Sequence, residues 1–265
     1  MLRLCLLASV LCATYSAFAD DTWVQTNTNL IRLGDAVHVD LMLGNHGNDH
    51  RDFKLASKLD PESGPLTVTG PDGKPIDLKP KLADLGYAPK EGFHSAKFAA
   101  SKPGIYTVVH TSDRIVNHGK PVRSIRSAKA YFLVSPSLDK VRTDWAGFEK
   151  PLDHQLELVP EASPVAPMGP GTAIKLRVLF KGKPMPDARV SFIPRGETLA
   201  EGFDKIYERT TDSLGRASFT PKTGNYYLVV DHHKETVAGN EDYDTISYSA
   251  TLTVFVPELC PCCGE

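Results

Sequence analysis

Three groups of side chains have the types and spacing for metal-ion chemistry. His46 and His50 flank Gly47-Asn48-Asp49, directly after a run of alternating apolar residues. Imidazole is the commonest protein ligand for zinc, copper and nickel, and a loop this short can bring two rings onto one ion. Asp49 and Asp52 stand beside them as oxygen ligands or as partners that orient the rings. The same residues also make an ordinary solvated loop with no ion, and residue type alone leaves both readings open. His232 and His233 are adjacent at the end of a strand-like run. Neighbours on a regular strand point to opposite faces, so the expectation is that one of them joins a ligand from elsewhere. The tail Cys260-Pro261-Cys262-Cys263 puts three thiols within four residues, which as thiolates suit a soft ion such as Cu(I) or Zn. Cys260 and Cys263 also form a C-x-x-C, but a redox site of that type opens a helix, and here only Gly264 and Glu265 follow. Without a metal the three thiols oxidise with one another or with a partner, leaving at least one over.

The remaining histidines carry less. His94 and His110 fall in strand-like runs and read as satisfied edge histidines. His38 alternates outward between Val37 and Val39, and His118 and His154 lie in loop-like stretches. No catalytic motif is present: there is no Gly-x-Ser-x-Gly, no His-Glu-x-x-His and no phosphate-binding glycine loop. The expectation is therefore a non-enzymatic protein. A hydrolase or redox enzyme remains as a distant alternative, because sandwich sites are assembled from distant loops. With 30 Lys and Arg against 32 Asp and Glu, and no basic stripe with interleaved aromatics, nucleic acid is not an expected partner.

The elements that must position these groups read as strands and turns. Residues 1–19 have the form of a cleavable export signal: Arg3, an apolar stretch from Leu4 to Ala13, then Ala17-Phe18-Ala19. Cleavage is expected before Asp20, which implies a periplasmic or secreted protein with no later membrane span. Cys5 and Cys12 leave with the signal, so no disulfide framework staples the body, and each domain depends on its own apolar core. Val37, Val39, Leu41 and Leu43 alternate on one face. Leu66-Thr67-Val68 runs into the Pro- and Gly-rich turn Gly70–Pro75. Strands are expected over Phe93–Phe98, Ile105–His110, Ala128–Val134, Gln155–Val159, Asn225–His232 and Tyr248–Val256. Residues 137–170 are rich in proline and read as a connector. The chain is thus expected to be all-β, with two tandem sandwich domains of immunoglobulin-like or transthyretin-like type over residues 20–136 and 171–257, and a cysteine-rich tail over 258–265.

The order of short motifs carries a resemblance. Gly182-x-Pro184, Ala188-x-Val190, Thr211-Asp212-x-x-Gly215 and Gly224-x-Tyr226 resemble a carboxypeptidase-regulatory-like or transthyretin-like sandwich. Together with Trp23, Gly34-Asp35-x-Val37, Gly44-Asn45-His46, Pro103-Gly104-x-Tyr106, Lys129-Ala130-Tyr131 and Leu156–Pro160, the chain resembles domain-of-unknown-function family 4198. The resemblance implies a periplasmic protein of the NikM-like group, associated with nickel or cobalt uptake, and a transporter or receptor of the envelope as its partner. The start Asp20-Asp21-Thr22-Trp23 lacks the histidine that family members often carry there. The function expected from sequence is that of an accessory protein handling a transition-metal ion (Ni, Co, Cu or Zn). The alternative is a metal-free structural or interaction module.

Overall fold

The computed structural model describes residues 20–44, 59, 61–86 and 92–258. Residues 1–19, read above as an export signal, and His46, His50, Cys260, Cys262 and Cys263 lie outside these residues. The first half supplies β1 (Asp21–Thr26), β2 (Leu30–Arg32), β3 (Ala36–Gly44), β4 (Leu66–Thr69), β5 (Pro75–Asp77), β6 (Ala83–Asp84), β7 (His94–Ala99), β8 (Gly104–His118) and β9 (Lys120–Ser135). The connector carries β10 (Leu156–Pro160), and after it come β11 (Ile174–Phe180), β12 (Lys183–Pro184), β13 (Arg189–Pro194), β14 (Glu208–Thr210), β15 (Arg216–Phe219), β16 (Asn225–Thr236) and β17 (Thr245–Val256). Only two 3₁₀ turns interrupt the strands among the described residues, so the all-β reading holds. No helix among these residues is long and apolar enough to cross a membrane.

The strands form three sheets: β1-β3-β7-β6, β10-β11-β12 with β15 on β11, and a nine-stranded sheet in the order β14-β13-β16-β17-β9-β8-β4-β5, with β2 also on β9. The large sheet joins the two halves of the chain, because β17 runs parallel to β9 from Thr245↔Val122 to Thr253↔Ala130. β9 is the shared wall. Ala128, Ala130, Phe132 and Val134 face the core of the first half, beneath the β1-β3-β7-β6 sheet. Tyr131 and Leu133 face the core of the second half, against Leu158, Leu176 and Val178. The two small sheets therefore cover opposite faces of the long one. A third cluster, Trp23, Met42, Leu228 and Val230, packs the outer side of β1 and β3 onto β16. Trp23 is fully buried there, and an indole is among the largest apolar areas a single residue can remove from water.

Local sequence explains the turns. Gly215 sits at φ 74° and donates to the Asp212 carbonyl at 2.9 Å, while the Asp212 carboxylate accepts from the N–H groups of Leu214 and Arg216, each at 2.9 Å. This is the hairpin closure expected from Asp212 and Gly215. Several strands exceed their expected length, β8 and β9 by the most. The run expected to end at His110 continues as β8 to His118, and the run expected over Ala128–Val134 begins at Lys120. These extensions form a long ladder of polar residues, Ser112↔Arg126 and Arg114↔Ser124 among them. Their low hydrophobicity hid them from a pattern-based reading. His118 correspondingly ends a strand rather than lying in a loop.

Gly64 is required by close approach. It follows the 3₁₀ turn Pro61–Ser63, and a Cβ at this position would stand 1.7 Å from the carbonyl oxygen of Thr111 on β8. Backbone on both sides leaves no side chain to swing away. Gly64→Ala is expected to cost about 3 kcal/mol by overpacking. Chemical unfolding of the variant checks this, and a cost below about 0.5 kcal/mol would show that the turn can move freely.

Candidate functional site

The long sheet and the start of β1 meet at one corner. β1 pairs with β3 so that Asp21 lies opposite Gly44, the last residue before the segment that carries His46 and His50. His232, on β16, reaches the same place: its Nε2 lies 2.8 Å from Asp21 Oδ1, across 211 residues of sequence. The Asp21 carboxylate holds the His232 imidazole pKa above its usual value. The ring is 40% exposed, and no hydrogen bond occupies its other nitrogen among the described residues. His233 points to the opposite face, as strand alternation requires. It packs 4.5 Å from the Phe180 ring and 6.0 Å from Tyr248. His232 and His233 are therefore not brought together on one ion.

The other histidines have structural surroundings. His38 is exposed. His110 is 1% exposed and sits on β8, which has strands paired on both sides, so it is not an edge residue. Its Nδ1 lies 2.9 Å from the Pro65 carbonyl oxygen, and burial pushes its pKa down to about 4, leaving it neutral. His94 is buried on β7. His154 lies in the connector, its pKa lowered first by burial and then by the Lys129 charge.

Among the described residues no three His, Cys, Asp or Glu side chains converge closely enough to hold a metal ion. Of the two expected ligands among the described residues, His232 has a carboxylate partner and His233 packs against aromatic rings.

Beyond Asp49 and Asp52, sequence reasoning singled out no carboxylate as a ligand, yet Glu157, Glu208 and Asp231 are each only 1% exposed. Glu208 is satisfied by two N–H groups of Arg189, the Ser191 hydroxyl at 2.8 Å and the Asp204 N–H at 2.6 Å. Glu157 takes the Lys129 ammonium at 2.7 Å, both side chains 1% exposed, and also accepts from the N–H groups of Leu152 and His154. Asp231 has neither arrangement. It is 1% exposed, faces the second core between Val190 and Ala250, and neither oxygen finds a partner of good geometry among the described residues. Burial raises its pKa to about 7, with only slight relief from His232. Lys129 was visible in the sequence as a charge inside the apolar run Ala128–Val134, a signal of burial that needed a partner.

A cleft of about 400 Å³ opens where the polar ladder of β8 and β9 meets the connector, lined by Gly64, Thr111, Ser112, Arg126, Ser127 and His154 among others. Its size falls in the range of small-molecule sites. The Arg126 guanidinium donates from Nη1 to Thr22 Oγ1 at 2.7 Å and from Nε to Ser124 Oγ at 3.0 Å.

Comparison with known proteins places the chain by sequence more than by shape. No curated protein sequence matches it. Solved structures align along most of its length at low similarity. A DUF4785 family protein from Legionella pneumophila is 14% identical over 78% of this chain and 50% of that one, with a TM-score of 0.27. The Yersinia pseudotuberculosis adhesin InvE is 16% identical over 88% and 58%, with a TM-score of 0.21. Escherichia coli alpha-2-macroglobulin activated by porcine elastase is 13% identical over 90% and 20%, with a TM-score of 0.23. The chain thus spans half the length of the Legionella protein, and scores this low carry no argument about function. Residues 17–235 match the domain of unknown function DUF4198. The chain belongs to the DUF4198 family.

Proposed function

We propose that this chain is a periplasmic accessory protein that holds a transition-metal ion, nickel or cobalt foremost and copper or zinc as alternatives, and passes it to an envelope partner. The observation that carries this reading is the corner formed by Asp21, Gly44 and His232. A metal-ligating histidine almost always gives its second ring nitrogen to a carboxylate, which fixes the ring and raises its basicity. His232 has such a carboxylate in Asp21 at 2.8 Å, with its other nitrogen unoccupied. The chain leaves β3 toward His46 and His50 from Gly44, directly opposite Asp21. On this reading His232 is one ligand, His46 or His50 supplies another, and Asp21 orients the His232 ring. Cys260, Cys262 and Cys263 form a separate soft-ion site or none. His233 takes no part.

Because Asp21 raises the His232 pKa, protons compete with the metal at a higher pH than for a free imidazole. Affinity is expected to fall as pH drops through that raised value, not only below about 6.5. The test is equilibrium titration of metal-free protein, purified without a chelating tag, with Ni, Co, Cu and Zn. His232→Ala and His46→Ala are each expected to weaken binding at least about tenfold, His233→Ala to leave it unchanged, and truncation after Pro257 to leave it intact. Binding that survives His232→Ala and His46→Ala but is lost on truncation would assign the metal to the tail. No binding of any of the four ions would leave the metal-free interaction module as the function.

A further inference from the structure

The corner of Asp21 and His232 depends on how the start of β1 is held. β1 is an edge strand, paired with β3 alone among the described residues, and its ladder ends at Asp21↔Gly44. Its side chains alternate between two surroundings. Trp23 packs with Leu228 and Val230, and Asp21, two residues earlier on the same side, meets His232. Val24 joins the first core on the other side, which Thr22 shares. The end of an edge strand opens at little cost unless side chains hold it.

Thr22 is where this end is held. Its carbonyl oxygen accepts from Thr251 Oγ1 of β17 at 2.9 Å, and its hydroxyl accepts from Arg126 Nη1 of β9 at 2.7 Å. Thr22 is 3% exposed, so water scarcely competes for either bond. Burial lowers the Arg126 pKa, as for a cation held away from water. Yet both its hydrogen-bond partners, Thr22 and Ser124 at 3.0 Å, are neutral hydroxyls. Asp21 is the foremost of the charges that favour it. Arg126 thus bonds the residue next to Asp21 and attracts Asp21 itself. It also lies in one row with His232, since Arg126 is opposite Ser249 and Ser249 is opposite His232.

We propose, on the metal reading of this corner, that Arg126 acting through Thr22 is a positioning residue. It fixes the start of β1 so that the Asp21 carboxylate stays against the His232 ring, which a ligating imidazole needs for its orientation. By charge alone Arg126 would work against the site, because a cation two strands away repels a bound metal ion. Positioning and charge therefore act with opposite signs on metal affinity.

The test uses the metal-free full chain. The nuclear Overhauser contact between the His232 ring protons and the Asp21 β-protons is measured first, then Ni affinity by equilibrium titration. The parent is expected to show the contact. Thr22→Val keeps the side-chain volume and the Arg126 charge but removes the acceptor. It is expected to lose most of the contact and to bind Ni at least about fivefold more weakly. Arg126→Met is expected to do the same, and Arg126→Lys, which keeps the charge and a donor, to recover part of both. Gly64→Ala, destabilising at a distant turn, is expected to keep the contact, so lost stability alone does not mimic the effect. Should Thr22→Val fail to fold, Arg126→Met against Arg126→Lys decides. The proposal is overturned if the parent lacks the contact, if the contact survives Thr22→Val or Arg126→Met, or if Arg126→Met tightens Ni binding. A parent that shows the contact, loses it in these variants and binds no metal keeps the positioning role and overturns the metal reading instead.

Discussion

Lys129→Met is expected to destabilise the protein by about 3–5 kcal/mol, because it strands the Glu157 carboxylate in the interior. Both side chains are 1% exposed and meet at 2.7 Å, so neither charge can turn to water when the other is lost. Burial disfavours the Lys129 ammonium and lowers its pKa, and Glu157 is what keeps it charged. The location magnifies the effect. Lys129 lies on β9, between Val109 of β8 and Leu252 of β17, where the two halves of the chain share their sheet. Glu157 lies on β10 and also accepts the N–H groups of Leu152 and His154, so it ties the end of the connector to that shared strand. The double substitution Lys129→Met/Glu157→Gln keeps an acceptor for those two N–H groups while removing both charges. It is expected to recover most of the loss, leaving a deficit of about 1 kcal/mol. Urea unfolding of the two single variants and the double variant at pH 7 gives the coupling. Additive costs would show that the two charges do not depend on each other.

Asp231→Asn has the opposite sign. The Asp231 pKa is about 7 in the folded chain, against an ordinary value of 3.8. Between those values the folded state binds a proton that the unfolded state has lost, so folding stability falls as pH rises through this window. Below about pH 4 the carboxyl is neutral in both states and costs nothing extra. Above about pH 7 the full penalty is present, about 4 kcal/mol at most for a shift of this size. Asp231→Asn is therefore expected to be about 2–4 kcal/mol more stable than the parent at pH 8, with the advantage shrinking to near zero by pH 4. Asp231→Val should gain at least as much at pH 8, since its neighbours Val190 and Ala250 belong to the apolar core. The checking measurement is the unfolding free energy of parent and variant at several pH values. An advantage independent of pH would show that Asp231 is uncharged throughout or is satisfied in some other way. His232, one residue on, contributes in the same sense. Its raised pKa gives stability that is present below the ordinary imidazole value and lost as pH rises through the raised one.

Much of the fold was legible because strand patterning is local. The alternation of Val37, Val39, Leu41 and Leu43 fixed which side of β3 is buried, and all four are core residues. Asp212 and Gly215 specified their hairpin through one carboxylate and one positive φ. The run Ala128–Val134 even signalled a strand buried on both faces, since no polar alternation interrupts it except Lys129. The order of motifs was enough to place the chain in its family. The functional groups were less legible. The histidines were visible by type, but the oxygen beside His232 comes from Asp21, at the other end of the chain. Arg126, which reaches Thr22 of β1, lay in a stretch too polar to register as a strand.

The sequence by itself determined the apolar cores of most strands, many of their turns, which residues of a strand share a side and that His232 and His233 must part to opposite faces. Only the tertiary structure decided which strands are neighbours. The parallel pairing of β9 with β17 joins residues more than 120 positions apart, and period-two alternation says nothing about the partner of a strand, because the same face can pair with any strand of matching length. That pairing puts Arg126 one strand from Ser249 and two from His232, and it lays the β1-β3-β7-β6 sheet across the face where Asp21 can reach them. The chemistry of the corner therefore belongs to long-range register, which is set by the burial of both faces of β9 and not by any motif along the chain.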